Sequence, residues 1–368
     1  MWNSRRNIIL LVVTAFLYSP FTGLPQHGKE KTYHKEQKND HNIKAPGFDF
    51  KTVIFDHILN KHEFHFMDIG HTPVSIALPV LLYSPERGWA FFSFSKFHHG
   101  HDAYNGYRYI DGKIQAVLSD GKTIDNSVRL YDLSITKNVV QMILAVIVFI
   151  IIMFTIARKY KKGVGVNSAP MGIQNVFEPI ILFIRDEVVK PNILYKRDRF
   201  MPYLLTVFFF ILINSFFGLI PGAANVTGNI AFTAILGIIS FIVILTSSNK
   251  HFWMHIINPP GIPIGLKPLL FIVELLGVFT KPFALIIRLF ANMLAGHIII
   301  ISLISIIFIF AGISKSIGWG FSPISVAFAT FIYLIEILVA FIQAFIFTNL
   351  TAVFIGQSQE GAHNTEHH

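Results

Sequence analysis

KPFALIIRLFANMLAGHIIIISLISIIFIFAGISK, residues 281–315, holds one charged side chain, Arg288, between its terminal lysines. The stretch is long enough to cross a bilayer, whose hydrocarbon core takes about 20 apolar residues. An arginine at that depth costs about 3 kcal/mol on insertion scales. It persists where it faces a protein interior, a water pocket or a mobile partner, and so marks function. Arg288 is also close to Lys281, and snorkelling from a helix end to the headgroups is the alternative use of such a side chain.

The rest of the composition agrees with a membrane setting. The chain has 368 residues, 53% hydrophobic and 14% charged, with mean hydropathy +0.55, which is the balance of a multi-span membrane protein. The net charge of +9 would suit a polyanion. The basic residues, however, cluster in short loops between apolar runs, the pattern of membrane topology. No nucleic-acid partner is expected. There is no cysteine, which excludes disulfides and thiolate metal sites.

Downstream, the only charged residue between Lys315 and Glu360 is Glu336. Gln343 follows it on the same helical face, with Ala340 between. In the upstream segment Arg288 and Asn292 share a face, and Ala295 and Gly296 continue it with side chains small enough to admit another helix. His297 points about 180° away from Arg288, back into the chain. His297 and Glu336 on two adjacent membrane helices read as a proton relay, or else as a structural ion pair. Asn292 and Gln343 can hold water between them. Glu274 lies about 40° from the Arg288 face and Lys281 closer still. Both readings of these two stay open, as lining of a cytoplasmic water path or as anchors of the helix start.

These last two apolar segments are too long for a simple span. Residues 282–310 would measure about 44 Å as one helix and 324–355 about 48 Å, against about 30 Å of hydrocarbon. Either the pair crosses steeply as a hairpin or both helices are broken. No proline falls inside either after its first turn, so tilt is expected, with a turn at 312–323 outside and the tail, 358–368, in the cytoplasm.

Upstream, residues 139–157 form the first span, and Arg158, Lys159, Lys161 and Lys162 mark its cytoplasmic end. Residues 170–191 place Ile173, Val176, Phe177, Ile180, Ile181, Ile184 and Val188 on one face, predicting an amphipathic helix at the membrane surface, kinked at Pro179. Residues 200–249 carry no charge and read as two spans joined by an outside turn. A Pro/Gly connector follows at 258–268.

Residues 1–25, with Arg5 and Arg6 before an apolar run, read as a signal peptide or short anchor, and 26–47 as a flexible polar linker. Residues 48–134 read as an extracytoplasmic module with hairpins at Asp111-Gly112 and Asp120-Gly121. His57, His62, His65, His71, His98, His99 and His101 invite a metal site, but H-E-F-H at 62–65 misses the H-E-x-x-H spacing. Solvated or hydrogen-bonded surface histidines are expected, and no metal.

The run RLFANMLAGH at 288–297, Glu336 and Gln343, the upstream Glu274 and Lys281-Pro282, and NVTGNIAFTAILG at 225–237 together resemble subunit a of the rotary (F-type) bacterial ATP synthases. The similarity covers residues 135–357. It implies a mainly α, polytopic fold with about five spanning helices, the last two long and steeply tilted, besides an interfacial amphipathic helix and the small β-containing module. It also implies a bacterial inner-membrane protein with a periplasmic module and a cytoplasmic C-terminus. The role implied is a proton-channel stator with two offset half-channels. Arg288 would face the c-ring, Asn292, His297, Glu336 and Gln343 would border the outer half-channel, and Glu274 would lie near the inner one. The implied partners are the c-ring, peripheral-stalk b subunits and membrane lipid. The transported ion is H⁺, with Na⁺ left open because the ring site decides it. No cofactor is implied, and the chain is not an enzyme alone. The region before residue 135 goes beyond the common family pattern. A secondary ion-coupled transporter using Arg288, His297 and Glu336 is the alternative; such proteins usually carry internal repeats, and none is evident.

Overall fold

A computed structural model describes residues 62–359, apart from breaks at 70–71, 101, 111, 119, 166, 195–196, 221 and 259–262. The expected signal peptide, linker and residues 360–368 of the tail lie outside the described residues, as do His57, His71, His101 and Asp111. Among the described residues, eight short strands come first: β1 (Glu63–Ile69), β2 (Thr72–Ala77), β3 (Pro79–Ser84), β4 (Gly88–Ser93), β5 (Ala103–Tyr104), β6 (Tyr107–Ile110), β7 (Lys113–Ala116) and β8 (Tyr131–Asp132). The helices follow: α1 (Lys137–Lys161), α2 (Ile173–Phe183), α3 (Arg197–Leu219), α4 (Ile230–Ser247), α5 (Lys250–Ile257), α6 (Lys267–Ile313) and α7 (Lys315–Gln359). Among the described residues, five of these (α1, α3, α4, α6 and α7) are long and apolar enough to cross a membrane. The fold is mainly α and polytopic with a small β module, as the sequence predicts.

The last two helices differ from expectation in their bounds. α6 begins at Lys267, well before Pro282, and α7 at Lys315, well before Pro323, so both prolines lie inside helices. The expected turn at 312–323 shrinks to the single residue Ser314. With 47 and 45 residues, α6 and α7 are each roughly 70 Å long at 1.5 Å per residue. Each proline removes one backbone donor, leaving the carbonyl four residues earlier without its helical partner. A hydrogen-bonded ladder on both sides absorbs that single loss, and prolines are tolerated in spanning helices for this reason. The short helix α5, lying in what reads as a plain return to the connector, was not foreseen.

The amphipathic segment also differs. α2 contains Pro179 and gives way to a π-helix over Ile184–Val189. Ile184 and Val188 are fully buried in the bundle core, with Phe177, Ile180 and Ile181 packed against it. Only Ile173 and Val176, at the start, stay exposed. The apolar face that the sequence defines therefore docks on the bundle core from Phe177 to Val188, with a π turn inside it.

The chain forms two compact units. Among the described residues one holds 140–294 and 336–359, the other 62–139 and 295–335. In the first, α3 supplies an almost wholly buried run through Leu204, Phe208, Phe209 and Ile211. Tyr203 Oη and Ser240 Oγ, 2.9 Å apart, tie α3 to α4. Asn229 caps α4, its side chain accepting from the amides of Ala231 (2.9 Å) and Phe232 (3.4 Å). Gln141 of α1 closes the α3–α4 turn by accepting from the Ala224 amide at 2.8 Å. Gly237 lets α6 approach α4, since a Cβ there would lie 2.7 Å from Ile286 Cδ1 and closer still to Cγ1.

In the second unit β3 alternates half-buried and buried residues. Val80, Leu82 and Phe92 face inward onto Phe94, Phe97, Tyr107 and Ile114. β6 and β7 pair as the Asp-Gly hairpin predicts, with Ile110 opposite Lys113 and Gly112 at φ 80°. The second Asp-Gly makes only a single bridge, Val117 to Ile124. Its turn is held by Asp120, which accepts from Thr123 Oγ1 (2.5 Å) and from the amides of Lys122 and Thr123 (3.0 Å each). His62 is not a surface group: it is 4% exposed, stacks on Phe94 and lies 3.3 Å from Asp132. His98 is exposed and pairs with Asp102 at 2.7 Å.

Candidate functional site: the charged faces of α6 and α7

α6 sorts its residues by exposure with helical period. Leu285, Leu289 and Met293 are 2–3% exposed and form the stripe that docks on the bundle. Arg288 and Asn292 stand on the exposed surface, flanked by the small, exposed Ala284, Ala291 and Ala295. The sequence reading found Ala295 and missed Ala284 and Ala291, although all three recur at helical spacing. Among the described residues no ion pair engages Arg288. A guanidinium in an apolar span thus sits on an outward face bordered by methyl groups, where a second helix can come close.

On α7 the expected face is buried. Glu336 is 3% exposed and Gln343 8%, with Ala340 between them at 1%. Ala344, Phe347, Thr348 and Thr351 extend that face into the bundle core. A carboxylate so deep in a span persists only with polar company, which makes Glu336 a functional candidate in its own right. His297 is half-buried and belongs to the other unit.

Towards the start of α6, Glu274 meets a partner that the sequence does not assign to it. Its Oε2 lies 3.4 Å from Nδ1 of His255 on α5. Lys281 donates to Gln357 Oε1 of α7 at 2.9 Å, and its ammonium stands over the Phe354 ring at 4.9 Å from the centroid. Phe241, Phe252 and Pro282 close a small cavity beside this pair. Lys281 is therefore held inside the helix by side chains of α7, not standing at a helix start. The signal for His255 was a histidine three residues before a Pro/Gly connector; the signal for Gln357 was the polar run Gln357-Ser358-Gln359 that closes α7.

Among the described residues, five long apolar helices, the last two very long, define a polytopic membrane protein. The ATP synthase A chain family matches residues 139–356. Residues 53–133 match a second family, a domain of unknown function (DUF8433). ATP synthase subunit a of Chloroherpeton thalassium is 47% identical over 237 residues, which are 62% of this chain and 67% of that protein. ATP synthase subunit a 2 of Chlorobaculum tepidum is 45% identical over 242 residues, 64% of this chain and 66% of that one. Subunit a of an Anaeromyxobacter species is 39% identical over 246 residues, 64% and 57% of the two chains. The chain belongs to the ATP synthase A chain family.

Proposed function

We propose that this chain is the stator of the ATP synthase proton channel, with Arg288 as the fixed charge past which a c-ring turns. The observation that carries this is the outward, small-residue-flanked placement of Arg288 on a helix whose opposite stripe is buried. A ring carboxylate surrounded by lipid must be neutral, because an isolated buried charge is very expensive. Opposite Arg288 the ionised form is favoured: at about 4 Å and an effective dielectric near 20, the attraction is about 4 kcal/mol. A proton leaves as each ring site arrives and another enters after it has passed. The same cation repels protons and so keeps two offset half-channels from short-circuiting. Each charge moved is driven by about 2.3 kcal/mol per 100 mV.

Asn292, His297, Glu336 and Gln343 border the outer half-channel and Glu274 the inner one. The basic end of α1, Arg158, Lys159 and Lys161, supports a cytoplasmic placement of that end. The module of 48–134 then lies outside, the membrane domain of 135–357 crosses the inner membrane on steeply inclined last helices, and the C-terminus is cytoplasmic. Peripheral-stalk b subunits hold the assembly still. Purifying the tagged chain from gently solubilised membranes tests the partnership. Recovery of small membrane subunits, each with one carboxylate in its span, is the expected result. A chain that transports ions alone, with no such subunits, would overturn it.

A further inference from the structure

The outer face of the β4-β3-β8 sheet breaks the rule of its class. An antiparallel sheet that packs on one face should be polar on the other. Here Val80, Leu82 and Phe92 fill the inner face, yet the outer face carries Leu81, Tyr83, Trp89, Phe91 and Tyr131. Trp89 is 65% exposed, Phe91 74% and Tyr131 45%. Register brings them together, since Tyr83 pairs with Trp89 on one side and with Tyr131 on the other. The rings form one patch, with Tyr83 4.7 Å from Trp89 and 6.3 Å from Tyr131 between centroids.

The covalent chain limits what can cover this patch. Ser134 is fastened to the sheet, because Leu81 N donates to Ser134 Oγ at 3.1 Å and Leu133 N donates to Leu81 O at 2.9 Å. The spanning helix α1 starts at Lys137, itself only 7% exposed. Three Cα steps, at most about 11 Å, therefore separate the sheet from the start of a span. The headgroup layer adds about 5–8 Å beyond the hydrocarbon on each side. A sheet tethered this closely stands in or beside that layer. Indole and phenol rings, apolar bodies with one polar handle, are the side chains that settle there.

We infer that the β4-β3-β8 face is a lipid-headgroup contact that seats the outer module on the bilayer surface. The occupant is lipid rather than a protein because the short tether to α1 brings the membrane surface to the patch. The inference rests on α1 crossing the membrane and not on the role of Arg288, so the two can fail separately.

The absence of cysteine permits a direct test. Phe91→Cys, and Asn126→Cys as an exposed reference, are each labelled with an environment-sensitive fluorophore. The label is read in the assembled complex with cysteine-free partners, in phosphatidylcholine vesicles. The expected result at 91 is strong quenching by lipid carrying a spin label near its headgroup, with quenching by aqueous iodide several-fold weaker than at 126. Iodide quenching equal to that at 126 would put the face in water and overturn the proposal. Protection from both quenchers would put a protein or a second copy there and overturn it equally. If Phe91→Cys fails to assemble, Trp89→Cys gives the same reading.

Discussion

Replacing Gly237 by alanine pushes directly on the helix that carries Arg288. The new Cβ would lie 2.7 Å from Ile286 Cδ1 and closer to Cγ1, with the Pro282 carbonyl oxygen 3.6 Å away. Carbon atoms pack at about 3.5–4.0 Å, so Ile286 must retreat by about 1 Å. It cannot do so by turning its terminal methyl alone, because Cγ1 is the nearer atom and a β-branched side chain is stiff at χ1 in a helix. Overpacking of this kind costs about 1–3 kcal/mol. Alanine returns about 1 kcal/mol through its better helix propensity. The net loss is up to about 2 kcal/mol, and α6 moves two residues from Arg288. Thermal melting of the purified complex should fall by a few degrees, and ATP-driven proton pumping in vesicles should fall with it. Gly277→Ala on α6 is the internal control: a Cβ there meets nothing within 4 Å, so up to about 1 kcal/mol should be gained. If Gly237→Ala melts and pumps like the parent, the tight α4–α6 contact does not position Arg288.

Three other outcomes follow from single residues. Asn229→Ala removes the cap of α4 and should cost about 1 kcal/mol, read as a lower melting temperature with pumping per assembled complex unchanged. Asp120 is held down to about 2 from an ordinary 3.8 by the Thr123 hydroxyl, the Thr123 amide and the Lys122 amide. A carboxyl depressed on folding stabilises the fold above its unfolded value and loses that as pH falls through its folded value. Its contribution is thus complete above about pH 5 and gone near pH 1. Asp120→Asn should flatten the acid dependence of the module's circular-dichroism melting across that window, and an unchanged acid limb would contradict the account. Glu336→Gln should slow proton entry sharply without impairing assembly, whereas unchanged passive proton conductance of the membrane sector would return Glu336 to a structural role.

Much of the membrane part was legible because two periodicities carry it. Charge-free runs bounded by lysines and arginines place the spans, and the Arg288/Asn292 and Glu336/Gln343 spacings place polar groups on single faces. The helix starts at Lys267 and Lys315 were not legible, because proline punctuates helices in water more strongly than inside a long apolar ladder. The π turn over Ile184–Val189 was hidden as well, since one extra residue in a helical turn leaves no mark on the apolar pattern. Gln141, Gln357 and the pairing of His255 with Glu274 were not foreseen, because each residue finds its partner well along the chain and single polar residues carry no pattern. In the outer module the Asp111-Gly112 hairpin followed from turn chemistry. His62 misled, because a histidine in a polar neighbourhood of sequence gave no hint of the aromatic cage closed by Phe94 and Tyr109.

The claim at the centre is that Arg288 alone governs the charge state of each passing ring site. The most direct measurement is ATP synthesis driven by an imposed proton gradient in vesicles holding the complex with Arg288→Ala. Assembly should be intact and synthesis lost. Arg288→Lys should be lost too, since an ammonium lacks the planar guanidinium fork. Synthesis at the parent rate in the alanine variant would contradict the account.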